Sequence, residues 1–224
     1  MRPSSKKRMP FFYYVGVCIV KVLMLLLTRW HVYGKENVPR EGPLIIVSNH
    51  LHNADPPLLS ASVPREIVFM AKEELFRHRL ARIVVVGFGA FQVSRRRYNR
   101  HALRRANEVL RQGFALGLFP EGSRSKTAQL QEAFLGTALV AWQAKCPIVP
   151  VGIAGTEKIR GSLWFLKRPV VTVRIGLPFE LGTGAGLPSK SELKASADMM
   201  MSRIAELLPQ EYRGVYGDAA GKGE

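Results

Sequence analysis

The chain has 224 residues, 47% of them hydrophobic, which is enough for one domain with a hydrophobic core and leaves little room for a second. Its formal net charge of +16 is far from the near-neutral net charge of an ordinary cytosolic enzyme. It predicts an anionic partner, whether nucleic acid, anionic lipid or a phosphorylated substrate. The two cysteines, Cys18 and Cys146, form no metal or redox pattern, and we expect both to be small buried side chains.

The N-terminus contains an apolar run over residues 11–27, preceded by a basic cluster at 6–8. A secretory signal is disfavoured because no small-x-small cleavage site follows the run. A spanning helix is disfavoured because the run reaches only about 25 Å, against a hydrocarbon core of about 30 Å, and because Lys21 would lie near its middle. We favour a helix lying in the membrane interface over a spanning helix or a buried core helix. Residues 1–31 are therefore predicted to anchor the chain to a membrane.

The elements that follow alternate between strands and helices. Short apolar runs predict strands over 44–47, 91–93, 115–119, 148–153 and 170–175. Helical periodicity predicts helices over 98–111, 130–144 and 191–208. This alternation predicts a single α/β domain over 32–213, with a mixed, partly parallel sheet flanked by helices. The small and polar tail over 214–224 is predicted to be disordered.

A turn-rich segment over 48–57 follows the first of these strands and carries His50 and Asp55. On a regular helix a spacing of five would place the two side chains about 140° apart, so they could not pair there. In a turn closed by Pro56 and Pro57 the carboxylate can curl back to the imidazole. That pairing would fix the tautomer and leave the other ring nitrogen available as a general base. The alternative is a surface loop whose aspartate only caps the chain.

A metal site is a second interpretation of the same segment. His50 and His52, with Asp55 nearby, resemble part of a zinc ligand set. No convincing third or fourth ligand is found elsewhere, because the remaining histidines all lie beside basic residues. We therefore predict neither a metal nor another cofactor.

Two further segments end predicted strands with candidate phosphate ligands. The segment over 118–125 places Ser123, Arg124 and backbone N–H groups where they can hold a phosphate, and Glu121 where it can accept a substrate hydroxyl. The alternative is a strand-to-helix turn with a charged tip. The segment over 89–95 presents Arg95 at a strand end, and the alternative there is a solvated basic face.

Together, these segments resemble the glycerolipid acyltransferase family, which includes the 1-acylglycerol-3-phosphate acyltransferases. The family's Asn-His-x4-Asp block is similar to residues 49–55, and its Gly-x-Phe-x-x-x-Arg block to residues 89–95. The Phe-Pro-Glu-Gly-Thr/Ser-Arg-Ser block is similar to residues 119–125, and the trailing Val/Ile-Pro-Val segment to residues 148–151. The resemblance covers roughly 32–178, and its only departures are minor, at Gln92 and Ser123. The order and spacing of the blocks make it specific.

The resemblance implies a role for each matching residue. His50 would deprotonate the free hydroxyl of a lysophospholipid while Asp55 orients the ring, so that no serine or cysteine nucleophile is needed. The remaining motif residues are implied to bind the acceptor and its phosphate, and they are Asn49, Arg95, Glu121, Gly122, Ser123 and Arg124.

The implied activity is transfer of an acyl group from acyl-CoA or acyl carrier protein to 1-acylglycerol-3-phosphate, giving phosphatidic acid. Other acceptors in this broad family are lyso-ornithine lipids, glycerol-3-phosphate and other lysophospholipids. We expect an anionic membrane surface as partner, with the catalytic domain on the cytoplasmic side of the cell membrane. Nucleic acid is disfavoured because the chain lacks a recognisable binding motif and its arginines are not interleaved with stacking aromatics.

Overall fold

The computed structural model describes residues 8–77, 79–93, 100–182 and 187–217. Within these ranges the strands are β1 Arg29–Tyr33, β2 Leu44–Ser48, β3 Ile67–Lys72, β4 Phe91–Val93, β5 Ala115–Leu118, β6 Ile148–Ala154 and β7 Val170–Ile175. The helices in the same ranges are α1 Phe11–Leu27, α2 Asp55–Ser62, α3 Arg79–Gly87, α4 Arg100–Arg111, α5 Leu135–Ala144 and α6 Lys190–Ala205.

The strands described form one sheet in the order β1-β7-β6-β2-β5-β3-β4. All neighbouring pairs are parallel except β6 and β7, which are antiparallel. The central strands β2 and β5 are buried along their whole length, as expected of parallel strands that helices cover on both faces. The prediction of a single α/β domain with a mixed sheet flanked by helices is confirmed.

Successive side chains of β2 point to opposite faces of the sheet and divide the core into two layers. Ile45 and Val47 pack in the layer that contains residues of α4, α5 and α6. Leu44 and Ile46 pack in the layer that contains Leu58 of α2 and Met24 of α1. The sheet is therefore enclosed on both sides.

One edge of this sheet gathers the ends of several strands, and we call it the carboxyl edge. The parallel strands β2, β5, β6, β3 and β4 all end there. Because β7 runs antiparallel to β6, the amino ends of β7 and of its parallel neighbour β1 lie at the same edge. The loops after strand ends are where open α/β sheets bind their ligands.

Helix α1 lies against the domain through one side only. Tyr13 and Met24 are its buried residues, and the Tyr13 hydroxyl accepts a hydrogen bond from the Ile67 N–H at 3.1 Å. The rest of the helix is largely exposed, including Cys18, so the expectation that both cysteines are buried is wrong for Cys18 and holds for Cys146. Among the described residues, no helix has the length and apolarity needed to cross a membrane.

The helix predicted over 130–144 begins only at Leu135. The residues before it give their N–H groups to distant partners instead of to a helix. The Leu130 N–H donates to the Tyr212 carbonyl at 2.8 Å, and the Phe134 N–H donates to the Pro120 carbonyl at 2.8 Å. Those long-range bonds satisfy the backbone in an irregular conformation, which local propensity does not reveal.

The predicted tail also differs at its start. Gly214–Tyr216 form a 3-10 helix, and the Tyr216 side chain is buried. Its hydroxyl donates to Asp198 of α6 at 3.3 Å, so the domain extends beyond the boundary expected at 213. Residues 218–224 lie outside the described ranges.

Candidate active site

The motif residues meet at the carboxyl edge, where the loops after β2 and β5 lie side by side. His50 follows the end of β2 and Glu121 follows the end of β5. The two loops are joined by the Ser125 N–H, which donates to the His50 carbonyl at 2.7 Å. The same edge carries the loop after β6, because β6 pairs with β2 on its other side.

His50 and Asp55 form a hydrogen-bonded pair, as the turn interpretation predicts. The distance from His50 Nδ1 to Asp55 Oδ2 is 2.8 Å. The same carboxylate oxygen accepts from the backbone N–H of Leu51 at 2.6 Å and of His52 at 2.7 Å. Three donors therefore converge on one oxygen of a fully buried side chain.

The prolines after Asp55 act differently from the prediction. Pro56 and Pro57 do not close a turn but lie in the first turn of α2, where a missing N–H costs no intrahelical hydrogen bond. Asp55 is thus the first residue of a helix, and its side chain points back over the loop that precedes it. Two elements of different type, a loop and a helix start, produce the pairing at a spacing of five.

The His50 ring is held by stacking as well as by its hydrogen bond. It lies on the Phe119 ring with centroids 4.1 Å apart and planes 22° apart, and Phe119 in turn stacks on Phe69. The His50 side chain is 16% exposed, and Nε2 has no hydrogen-bond partner among the described residues. The arrangement leaves one ring nitrogen accessible while the other is fixed, which is the geometry that a general base requires.

Glu121 is engaged by the backbone rather than turned towards solvent. Oε1 accepts from the His50 N–H at 3.1 Å and Oε2 from the Gln131 N–H at 3.2 Å, and the residue is buried. This differs from the expectation that Glu121 accepts a hydrogen bond from a substrate hydroxyl, since both of its oxygens already accept hydrogen bonds from backbone N–H groups. Its geometric role is to fix the His50 loop against the loop after β5. Burial raises the pKa of Glu121 from 4.5 to about 7, against the two backbone hydrogen bonds, which lower it.

Replacing Glu121 by glutamine should flatten the pH dependence of stability. Because the folded pKa exceeds the unfolded one, this carboxyl contributes stability that is complete below pH 4.5 and is lost as the pH rises through 7. The free energy of unfolding of the wild type, minus that of Glu121→Gln, should fall by about 3 kcal/mol over this interval. Urea unfolding at a series of pH values measures the difference. A difference that stays constant from pH 4 to pH 8 would contradict it.

Asn49 has a structural role in this geometry. Its Nδ2 donates to the Ile153 carbonyl at 2.8 Å, and its Oδ1 accepts from the Ile153 N–H at 2.8 Å. The residue is buried and both polar atoms of its amide are paired with the backbone, so its contact with substrate stays a prediction. The paired amide extends the β2–β6 ladder past the end of β2 and fixes the residue that precedes His50.

The cationic part of the predicted site is present in part. Arg124 is exposed, Ser123 is half-buried, and Gly122 has a positive φ of 64° that a side chain would strain. Burial lowers the pKa of His52, and the positive charges of Arg124 and Arg160 lower it further, against the opposing effect of Asp55. Arg95 lies outside the described residues, so its role stays a prediction.

Arg160 is a residue of this site that the sequence patterns did not identify. It follows the 3-10 helix Thr156–Lys158 in the loop after β6, and its charge acts on His52 together with that of Arg124. Within the described residues, no carboxylate lies within 4.0 Å of either arginine. The signal that identifies it is sheet topology, because β6 ends next to β2. The loops that carry Arg124 and Arg160 therefore lie at the same edge of the sheet, on either side of the loop that carries His50.

Over residues 8–77, 79–93, 100–182 and 187–217, no group of three or more His, Cys, Asp or Glu side chains is arranged to hold an ion. His52 Nδ1 accepts a hydrogen bond from the Ala54 N–H at 3.3 Å.

Comparison with known proteins gives concordant results. The family described as Acyltransferase matches residues 29–154. The 1-acyl-sn-glycerol-3-phosphate acyltransferase of Bacillus subtilis is 30% identical over 190 residues, which is 84% of this chain and 92% of that protein. The protein of the same name from Streptococcus pneumoniae is 26% identical over 91% of this chain and 72% of its own length.

A solved structure agrees in fold. The crystal structure of the 1-acyl-sn-glycerophosphate acyltransferase from Thermotoga maritima superposes with a TM-score of 0.65 and 27% sequence identity. The similarity covers 84% of this chain and 75% of that one. Both the sequence and the fold comparisons therefore include the elements that carry His50, Asp55 and Glu121.

Proposed function

The chain belongs to the acyltransferase family, and we propose that it transfers an acyl group from a thioester donor to the free hydroxyl of 1-acylglycerol-3-phosphate, giving phosphatidic acid. The observation that supports this most strongly is the His50–Asp55 pair, 2.8 Å apart at the carboxyl edge, beside two unpaired arginines. The donor would be acyl-CoA or acyl carrier protein. A lyso-ornithine lipid, glycerol-3-phosphate or another lysophospholipid is the alternative acceptor.

The proposed reaction uses His50 as both base and acid. Nε2 takes the proton of the acceptor hydroxyl as its oxygen attacks the thioester carbonyl, forming the new C–O bond. The tetrahedral intermediate collapses with cleavage of the C–S bond, and the departing thiolate takes the proton from the imidazolium. Asp55 holds Nδ1 in the protonated tautomer throughout, so that Nε2 begins each turnover as an acceptor.

Direct attack, without an acyl-enzyme intermediate, agrees with the state of the neighbouring serines. Ser48 is buried, and its hydroxyl donates to the Asn49 carbonyl at 3.1 Å. Ser125 is also buried, and its hydroxyl donates to the Gln129 carbonyl at 2.7 Å. Neither hydroxyl is free to serve as a nucleophile that His50 would activate.

The choice of a phosphorylated acceptor rests on the arginines. Arg124 and Arg160 would bind the phosphate, with the Gly122–Ser123 turn shaping the approach, and Arg95 is proposed as a third ligand. A phosphate-free acceptor would leave these guanidinium groups without a counter-charge near the reacting hydroxyl. That cost favours lysophosphatidic acid over a lyso-ornithine lipid.

The membrane surface is proposed as the second partner. Helix α1 keeps Tyr13 and Met24 against the domain and exposes most of its other large apolar side chains. We propose that this face lies in the interface of the cell membrane, on the cytoplasmic side, where anionic headgroups attract the net charge of +16. The exposed apolar residues of α1 are Phe11, Phe12, Tyr14, Val15, Ile19, Val22, Leu23, Leu25 and Leu26.

An acyl-transfer assay tests the proposal directly. The purified protein would be given radiolabelled acyl-CoA, or an acylated carrier protein, with a panel of lysolipids and with His50→Ala as control. We expect product with lysophosphatidic acid that is lost in the variant. Product with another acceptor alone would retain the reaction but refute the acceptor. The absence of product with every acceptor and both donors would refute the proposed function.

Replacing Arg124 by alanine should raise the KM for lysophosphatidic acid by about tenfold, because one charged hydrogen bond to an exposed phosphate is lost. The KM for the thioester donor should not change. Arg111→Ala is the matched control, since Arg111 is exposed in the last turn of α4, beside the amino end of β5 at the opposite edge. Steady-state kinetics with each substrate varied in turn measure both constants. Equal effects on donor and acceptor would undo the assignment.

A further inference from the structure

We infer that a second, separate element of the chain, the exposed turn over residues 163–166, inserts into an anionic bilayer beside the active site. We call Leu163, Trp164, Phe165 and Leu166 the apolar turn. This inference rests on the proposed membrane association of α1 and extends it to the loop between β6 and β7. It places the carboxyl edge itself at the lipid–water boundary.

The apolar turn exposes hydrophobic surface that nothing in the described chain covers. Leu163 is 61% exposed and Leu166 is 68% exposed, and Phe165 is also exposed. Trp164 between them is half-buried, so three exposed apolar side chains are grouped within four residues and not scattered over the surface. A 3-10 helix over Trp164–Lys167 holds the segment in a compact projection.

Basic residues flank the turn on both sides. Lys158 and Arg160 precede it, and Lys167 and Arg168 follow it, all exposed. Apolar side chains at a tip with cations at its base suit a surface with anionic headgroups above an acyl region. The same charges oppose a second copy of the chain as occupant, because two such turns in contact would bring like charges together.

The turn is joined to the end of α1 by specific contacts. Arg168 Nη2 donates to the Leu25 carbonyl at 3.1 Å and to the Thr28 carbonyl at 3.3 Å. The Arg29 N–H donates to the Pro169 carbonyl at 3.0 Å, where β1 begins to pair with β7. The last exposed leucines of α1, Leu25 and Leu26, therefore lie next to the apolar turn, so the two apolar surfaces are neighbours.

The position of the turn links this surface to the reaction. Leu163 lies three positions after Arg160, so their Cα atoms are at most about 11 Å apart. The loop that carries Arg160 and the apolar turn starts where β6 ends, next to the end of β2 that leads into His50, and His52 shares the Asp55 carboxylate with His50. An acceptor whose acyl chain stays in the bilayer can then present its headgroup to these cations, which spares the cost of moving the whole lipid into water.

Site-specific fluorescence tests the contact. An environment-sensitive fluorophore on Leu166→Cys, in a Cys18→Ser background, would be read with vesicles of phosphatidylcholine and phosphatidylglycerol. The matched control is Leu177→Cys, since Leu177 is 74% exposed and follows β7 at the opposite edge. We expect a blue shift, and quenching by lipids with spin-labelled acyl chains, at position 166 and not at 177. An unchanged probe at 166 on protein that sediments with the vesicles would overturn the inference, as would a failure to sediment.

A second measurement separates this inference from the proposed function. Leu163→Ser with Leu166→Ser should weaken the partitioning of the full chain into these vesicles by about tenfold for each leucine removed, while Leu177→Ser should not. Turnover of a short-chain lysophosphatidic acid dissolved as monomers should be the same in all three proteins. If the wild type shows no turnover, the proposed function is refuted, but the partitioning measurement still tests the membrane contact of the apolar turn. If the double variant partitions into vesicles as well as the wild type does, lipid is refuted as the occupant. The same follows if the blue shift appears with rising protein concentration before vesicles are added.

Discussion

Replacing His50 by alanine should lower kcat for acyl transfer by about 10³-fold, because a positioned general base contributes 10²- to 10⁴-fold to such a reaction. The ring is held by Asp55 and by stacking on Phe119, so its Nε2 is ordered before substrate arrives. The KM for either substrate should change little, since the imidazole acts on the proton in transit and does not hold the phosphate. Initial rates of phosphatidic acid formation measure both constants.

His52→Ala is the control for this experiment. His52 lies two residues away and shares the same carboxylate through its backbone N–H, yet within the described part of the chain its ring accepts only from the Ala54 N–H. We expect its removal to change kcat far less than the loss of His50. If His50→Ala keeps most of its activity, or if His52→Ala loses as much, the base is not His50.

The central strands were predictable because burial on both faces of the sheet requires apolar residues at nearly every position. β2, β5 and β6 are buried on both faces, and each reads as a continuous apolar run. β1 was not predicted, since its exposed and half-buried residues alternate and include Arg29 and His31. At the edge of the sheet β1 pairs with β7, where Arg29 lies opposite Val170. These two residues are 141 positions apart in the sequence, so no local pattern predicts the pairing.

The candidate site was predictable at the level of motifs but not of side-chain roles. The motifs assigned Asn49, Glu121 and His50 to one site, and the structure places all three at the carboxyl edge. They did not distinguish a residue that faces substrate from one that faces the loop. Asn49 and Glu121 are buried, and their polar side-chain atoms form hydrogen bonds with the backbone. Those backbone partners come into reach only when β6 and the loop after β5 are folded, so the sequence motifs do not reveal them. Arg160 was missed for the same reason, because its position follows from the strand order.

Replacing Asp55 by asparagine should lower kcat by a factor comparable to the loss of His50. An asparagine oxygen can still accept from the Leu51 and His52 N–H groups, so the loop keeps much of its shape. It is a poorer partner for the His50 Nδ1–H, and the ring is then free to carry its proton on Nε2, where it cannot act as a base. The pH–rate profile and kcat of Asp55→Asn, measured beside His50→Ala, test this expectation.

Asp55→Ala separates the chemical role from the structural one. Removing the carboxylate leaves the donors on Leu51, His52 and His50 without their acceptor in a largely buried site, so we expect the free energy of unfolding to fall by about 3 kcal/mol or more. Asp55→Asn should lose less stability but about as much kcat. The two substitutions would then have similar kcat and clearly different urea midpoints. Similar midpoints would mean that the three hydrogen bonds contribute little to the fold.

The double variant His50→Ala with Asp55→Asn decides whether the two residues act as one unit. If Asp55 works only by orienting His50, its substitution has nothing further to remove once the imidazole is gone, so kcat of the double variant should equal that of His50→Ala. If the losses multiply instead, Asp55 acts on the reaction by a route that does not pass through the ring. The unpartnered Oδ1 atom, buried among the described residues, would then be the place to look for it.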